Sequence, residues 1–231
     1  MSSRRPSRIV LLGAPGAGKG TVALGMVSLF GAPHLSSGDM LRAAVAAGNE
    51  LGERVKGHMA AGQFVPDALI LEVIRERVQH RDCRNDAGGV RYLLDGFPRT
   101  LVQAEAFAVD SKLAPQLVVH LKVNSDVIVG RLTGRRTCPN CGASFHVAFA
   151  PPAKTDACDH CGSGLIVRPD DHEDTIRRRL TAYELQTAPL IDYYADLLIE
   201  IDGGQGRDQV LADVIASLKP WDGETPVGAN L

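Results

Sequence analysis

The chain has no long apolar run, few aromatic rings and almost no net charge, and each shortage narrows what it can be. None of its hydrophobic stretches approaches the roughly 20 residues that cross a bilayer as a helix, so no membrane span and no membrane partner are expected. The basic start at 1–8 is followed only by a short apolar run at 9–12, ended by Gly13 and Pro15. That is less than the roughly 7–15 apolar residues of a secretory leader, and a cytoplasmic protein is expected. With 25 Lys plus Arg against 27 Asp plus Glu, the formal charge of −2 provides no global field to hold the chain on nucleic acid. Any anion site must be built locally. Aromatic residues make up 5% of the chain, too few for the stacking platform that reads single strands.

Lysine is scarce as well. The basic residues divide into 6 Lys and 19 Arg, and Arg offers the planar fork that grips phosphate oxygens in pairs. Genomic base composition could produce the same bias, so position matters more than number. Arginines gather at Arg131, Arg135, Arg136, Arg168, Arg177, Arg178 and Arg179. Repeats and low-complexity tracts are absent. The 231 residues, 45% of them hydrophobic, suffice for one large domain carrying small insertions.

Five short β-branched or Leu-rich runs, at 8–12, 33–35, 91–94, 117–123 and 197–201, are separated by amphipathic stretches at 19–30, 39–47, 67–79, 100–109, 125–132, 173–195 and 209–218. This alternation predicts an α/β fold: a five-stranded parallel sheet with right-handed helical crossovers, in three α/β/α layers. Asp39, Asp67 and Ser125 stand at expected helix caps. Two segments break the alternation, a Gly-punctuated helical stretch at 36–65 and a Cys- and Pro-containing stretch at 134–171. They are expected as insertions over a core made of 1–35, 66–133 and 172–231. The ends, 1–7 and 223–231, are expected to fray.

After the first strand comes Gly13-Ala14-Pro15-Gly16-Ala17-Gly18-Lys19-Gly20-Thr21, then a helical run. Glycines let successive backbone N–H groups turn inward around phosphate oxygens, Lys19 supplies a mobile cation, and the helix N-terminus adds its dipole. Gly20 follows Lys19, so the hydroxyl that many P-loops place on Mg²⁺ at that position is missing and only Thr21 follows.

Cys138-Pro139-Asn140-Cys141 and Cys158-Asp159-His160-Cys161 form two C-x₂-C knuckles with 16 residues between them. That spacing matches a tetrahedral zinc ribbon, and a reducing cytosol argues against paired disulfides. Four thiolates close the coordination sphere, so the metal is expected to be structural. His146 and His160 are further possible ligands that four cysteines make unnecessary. Cys83 is expected to be an inert thiol.

The loop variant resembles that of nucleoside monophosphate kinases, and the resemblance extends over nearly the whole chain. Leu35-Ser36-Ser37-Gly38-Asp39-Met40-Leu41-Arg42, Asp95-Gly96-Phe97-Pro98-Arg99-Thr100 with Gln103, Gly134-Arg135-Arg136, and Arg168-Pro169-Asp170-Asp171 through Arg179 are similar, in order, to the signatures of adenylate kinases. The resemblance implies reversible phosphoryl transfer from Mg-ATP to AMP, giving two ADP, without a covalent intermediate. It implies catalytic roles for Lys19, Asp95, Arg99, Arg135, Arg168 and Arg179. ATP would be met by Gly16, Ala17, Gly18, Lys19, Gly20, Thr21, Arg131, Arg135, Ser144, Phe145, His146 and Gln205. AMP would be met by Ser37, Arg42, Gln63, Phe64, Val65, Gly96, Phe97, Pro98, Arg99, Gln103, Arg168 and Arg179. Asp95 would orient Mg²⁺ through water, and the lid would hold structural Zn²⁺ on Cys138, Cys141, Cys158 and Cys161.

Phe97-Pro98 is a candidate cis peptide. Arg131 and Arg135, four apart at a helix end, are expected to project from one side, whereas Arg177 and Arg178 read as solvated helix charges. Ser37 stands where the family usually has Thr. A stretch near 86–91 and the seven residues before Arg8 depart from the family and are expected to be surface additions. Competing readings are a sister kinase preferring GTP:AMP or UMP/CMP, a zinc-ribbon nucleic-acid-binding ATPase, and a silent nucleotide sensor. A monomer is expected.

Overall fold

The computed structural model describes residues 6–85 and 88–218. Asp86 and Ala87, residues 1–5 and residues 219–231 lie outside the described residues, and with them part of the 86–91 addition and both chain ends. Five parallel strands form the sheet: β1 (Arg8–Leu12), β2 (His34–Ser36), β3 (Tyr92–Asp95), β4 (Leu117–Lys122) and β7 (Leu198–Asp202), in the order β2-β3-β1-β4-β7. Being covered on both faces, the central strands β1, β3 and β4 are nearly continuous apolar runs. Ile9 and Leu11 face α1 (Lys19–Phe30) and α9 (Arg207–Ser217). Val10 and Leu12 face the opposite layer, which includes α4 (Asp67–Arg77) and α5 (Leu101–Ala108). The two buried clusters divide the core in the predicted three layers.

Within 36–65 the chain forms α2 (Ser37–Ala47) and α3 (Glu50–Ala61), each closed by a left-handed glycine, Gly48 and Gly62. After α6 (Ser125–Thr133), β5 (Arg135–Thr137) pairs antiparallel with β6 (Ser144–His146), and the knuckles follow one plan. Gly142 N–H bonds Cys138 O at 3.0 Å and Gly162 N–H bonds Cys158 O at 2.8 Å, both glycines at φ +74°.

Several expected details shift. Helix α2 starts at Ser37 and is capped by Ser36, whose hydroxyl accepts from Asp39 N–H; Asp39 is free to pair elsewhere. Asn124, not Ser125, caps α6. Pro66 precedes α4, and Asp67 uses its carboxylate on a distant helix. The long helix expected over 173–195 is broken: α7 (Glu173–Ala182) passes into a π-turn, Tyr183–Thr187, then α8 (Leu190–Tyr193) and a 3₁₀ turn, Ala195–Leu197. Pro189 has no N–H to continue the ladder, and wider i→i−5 bonding, Ala188 N–H to Tyr183 O at 2.9 Å, absorbs the mismatch. The last strand consequently starts one residue late, at Leu198.

Candidate active site

The phosphate loop lies at the C-terminal edge of the sheet, where open α/β sheets bind ligands. Gly13, Gly16 and Gly18 all have positive φ, and two are also sterically required. A Cβ on Gly13 would come within 2.7 Å of Leu121 O, and one on Gly16 within 2.8 Å of the Leu132 side chain. Helix α1 begins at Lys19 with Gly18 as its cap, no capping side chain and no acidic residue in its first turn, so its leading N–H groups remain directed into the loop. Lys19 Nζ folds back on Gly13 O at 2.8 Å and Ala14 O at 3.0 Å. Burial lowers its pKa to about 8, assisted by the neighbouring cations Arg99, Arg179 and Arg135 and opposed by Asp95.

Asp95 ends β3 as expected, with Oδ2 3.3 Å from His34 Nε2. Burial works against its charge, but His34, Lys19 and Arg99 outweigh that and hold the carboxyl below its usual range. The Phe97-Pro98 bond is cis. The turn sends Arg99 back so that Nε donates to Gly96 O at 2.7 Å while the guanidinium lies 5.2 Å from the centre of the Phe64 ring. Burial and then Arg179 lower the Arg99 pKa to about 10.

The remaining arginines converge through carboxylates that sequence spacing does not reveal. Arg135 forks onto buried Asp171, with Nε to Oδ2 at 2.7 Å and Nη2 to Oδ1 at 2.5 Å. Arg179 Nη1 is 2.9 Å from Asp170 Oδ2 and 3.6 Å from Asp171 Oδ1. Arg168 donates to Thr137 Oγ1 at 2.9 Å and lies 3.9 Å from Asp39, which itself binds Arg42 at 2.5 Å. Arg168, like Arg99, has its pKa lowered to about 10, first by burial and then by Arg42 and Arg135. Burial and the crowding of cations oppose the charged forms of Arg168 and Arg179, and the carboxylates beside them offset only part of that.

Between α2, α3 and the sheet edge lies a pocket with one apolar wall, Leu41, Met59, Val65 and Ile70, and one cationic wall, Arg42, Arg99 and Arg179. Ser37, Gln63, Phe64, Gly96 and Gln103 also line it. Ser37 is buried and donates to Gly96 O at 2.7 Å. Gln103 is equally buried and already engaged: its Oε1 accepts from Arg99 N–H at 2.7 Å, and its Nε2 donates to Asp67 at 2.6 Å. One N–H and one lone pair of its amide remain for a ligand.

Across the loop, Arg131 and Arg135 diverge rather than share a side, because α6 ends at Thr133 and Arg135 is already in β5. Arg131 reaches Gly203 O at 2.8 Å and the Gly204 and Gln205 carbonyls at 3.4 Å each. The Gln205 side chain itself binds Asp213 at 2.9 Å on α9. Ser144, Phe145 and His146 form β6, with His146 opposite Arg135. Thr21 is exposed on the first turn of α1. Sequence reasoning read Asp67 only as a helix cap, quoted Asp170 and Asp171 within a signature without assigning them a role, and gave none to His34 or Thr187, whose hydroxyl donates to Arg99 O at 2.8 Å. Each acts by contact with a distant segment, and only the Asp170-Asp171 pair beside Arg168 hinted at its use.

The four cysteine Sγ atoms lie within 4.8 Å of one another, with Cys138 to Cys161 at 3.4 Å and Cys141 to Cys158 at 3.5 Å. Ligands at the usual ~2.3 Å Zn–S distance stand about 3.8 Å apart at tetrahedral corners, so the donor set fits zinc. Among the described residues no helix is long and apolar enough to cross a membrane.

A strand, a glycine loop closed by a lysine and a helix, facing a second cation-walled pocket, define a P-loop phosphotransferase that brings two phosphorylated molecules together. The profile of the family described as Adenylate kinase matches residues 11–198. Relatives of that name include those of Magnetococcus marinus, 48% identical over 91% of this chain and 99% of that protein, and Syntrophotalea carbinolica, 47% identical over 91% and 98%. The one from Alkaliphilus oremlandii is 42% identical, again over 91% and 98%. The chain belongs to the adenylate kinase family and is an ATP:AMP phosphotransferase acting in adenine nucleotide balance.

Proposed function

We propose that the two nucleotides meet head to head over Lys19, donor on the phosphate-loop side and acceptor in the pocket. The observation that carries this reading is the convergence of Lys19, Arg99, Arg135 and Arg179: burial, and then the neighbouring cations, lower the proton affinity of Lys19, Arg99 and Arg179. The loop amides from Gly16 to Thr21 and Lys19 grip the ATP phosphates. Arg131, with the 203–205 backbone, and the β6 residues Ser144, Phe145 and His146 flank the donor base. In the acceptor pocket, Ser37, Gln103 and the 63–65 backbone frame the adenine, the Gly96, Phe97 and Pro98 turn presents Arg99, and Arg42 joins Arg99 on the AMP phosphate.

Arg135, Arg168 and Arg179 close on the transferring group. AMP phosphate is already an anionic nucleophile, so transfer is direct and in line, without a general base or covalent intermediate; positioning and charge neutralisation carry the catalysis. Asp95, ionised and beside the open Cα of Gly20, would hold Mg²⁺ through water. Held there, the ion would supply charge neutralisation at the phosphates. Core segments 1–35, 66–133 and 172–231 carry the sheet, 36–65 closes on AMP, and 134–171 is a lid stapled by structural zinc. Closing both flaps excludes water, a competing acceptor. A cytoplasmic monomer that binds no nucleic acid fits the small net charge.

Steady-state rates with AMP, CMP, UMP and GMP test acceptor choice. AMP is expected to lead by at least about tenfold in kcat/KM, as expected where buried polar groups select the base; faster turnover of CMP or UMP would refute the assignment of Ser37 and Gln103.

A further inference from the structure

Arg178 looks like a surface charge from its place on α7, yet it makes no carboxylate pair among the described residues, unlike its neighbour Arg177, which binds Glu173 at 2.6 Å. Its Nε instead donates to Ala61 O at 3.2 Å, across 117 residues of sequence, while Nη2 is held by buried Thr175 Oγ1 at 2.9 Å. Ala61 is the last residue of α3, so its carbonyl has no partner within the helix. A guanidinium placed there satisfies that acceptor and the negative end of the helix dipole together.

The contact is also tightly fitted. A Cβ on Gly62 would lie 2.9 Å from Thr175 Cγ2 and 3.1 Å from Arg179 Cγ. The end of α3 therefore rests directly on the turn of α7 that carries Arg179. From that point the chain runs through Gly62, Gln63, Phe64 and Val65, all lining the acceptor pocket.

We propose that Arg178 is a positioning residue for the acceptor: by capping α3 from α7 it fixes the 62–65 backbone against the helix that presents Arg179. It touches neither nucleotide in this arrangement and acts through the pocket wall. The inference rests on the reading of that pocket as the AMP site. Without Arg178 the end of α3 loses its tie to α7, so binding of AMP must supply the ordering, while the donor side is unaffected.

The test is steady-state kinetics of Arg178→Ala and Arg178→Lys, with Arg177→Ala as the neighbouring surface control. The Ala variant is expected to raise KM for AMP about five- to tenfold, the net scale of one ordinary hydrogen bond, with KM for ATP and kcat at saturating AMP within about twofold. Arg178→Lys, keeping a cationic donor, is expected to recover part of that loss, and Arg177→Ala to match the parent. An unchanged KM for AMP, or an equal rise in KM for ATP, overturns the proposal. Arg99→Ala, measured alongside, separates the two readings: if it leaves AMP phosphorylation intact, the acceptor assignment itself fails. If it abolishes turnover while Arg178→Ala is silent, only the positioning role falls.

Discussion

Replacing Lys19 with Met is expected to lower kcat/KM for ATP by on the order of 10³, with the melting temperature unchanged or slightly raised. The loss follows from removing the one mobile cation of the phosphate loop. The retained stability follows from the nucleotide-free site, where burial and the charges of Arg99, Arg179 and Arg135 oppose the Lys19 ammonium and outweigh its attraction to Asp95. Met keeps the length of the stem and removes the opposed charge, losing the bonds to the Gly13 and Ala14 carbonyls and the attraction of Asp95. The same charge sets the pH profile. A lysine with a pKa of about 8 is cationic below that value and loses its charge as pH rises through it. Because kcat/KM reports the free enzyme, it is expected to fall above about pH 8, towards tenfold per pH unit. In the nucleotide complex phosphate oxygens hold the proton, and kcat stays level to higher pH. Activity within a few-fold of the parent in Lys19→Met would remove Lys19 from the mechanism.

The second large effect concerns the lid. A metal analysis is expected to find one zinc per chain, lost in Cys158→Ser and retained in Cys83→Ser, since Cys83 is buried beside Arg77 far from the knuckles in sequence. The lid has little core of its own: Phe149 is 77% exposed, and Val147 and Ile166 are about half exposed. A metal held by the four thiolates would substitute for the missing burial. Loss of it is expected to lower the melting temperature by about 5–10 °C and to reduce kcat, because Arg135 in β5 and Arg168 beyond the second knuckle are held by the lid's own strands. Full zinc content in Cys158→Ser would show that the four thiolates do not form one site.

Much of this could be read from the chain. Apolar runs between amphipathic stretches located all five strands to within a residue or so, because a parallel sheet covered on both faces leaves a strong and continuous signal. The phosphate loop and the knuckles were legible for another reason: each is local, so spacing along the chain is nearly spacing in three dimensions. What escaped was long-range pairing. Asp67 looks like a helix cap and serves instead as the acceptor that fixes Gln103, 36 residues away. Asp171 is buried against Arg135 and shares Arg179 with Asp170. The break at Tyr183–Thr187 also escaped, since an amphipathic pattern does not distinguish a straight helix from one with a π-turn. The turn has a purpose in the fold: Thr187 holds the Arg99 carbonyl, and the Tyr183 hydroxyl is 3.2 Å from His120 on β4. Helix α7 is thus pinned at its far end while Arg179 and Arg178 act at its middle.

The central claim is that a glycine cradle and a ring of guanidinium groups neutralise two nucleotides at their point of contact. A crystal structure with a bisubstrate dinucleotide, two adenosines joined through a polyphosphate, measures this most directly. Its phosphates are expected within hydrogen-bonding distance of Lys19 Nζ and the Arg99 guanidinium, with one adenine between α2 and Gln103 and the other beside Arg131. A dinucleotide bound away from Lys19 and Arg99 would contradict the account.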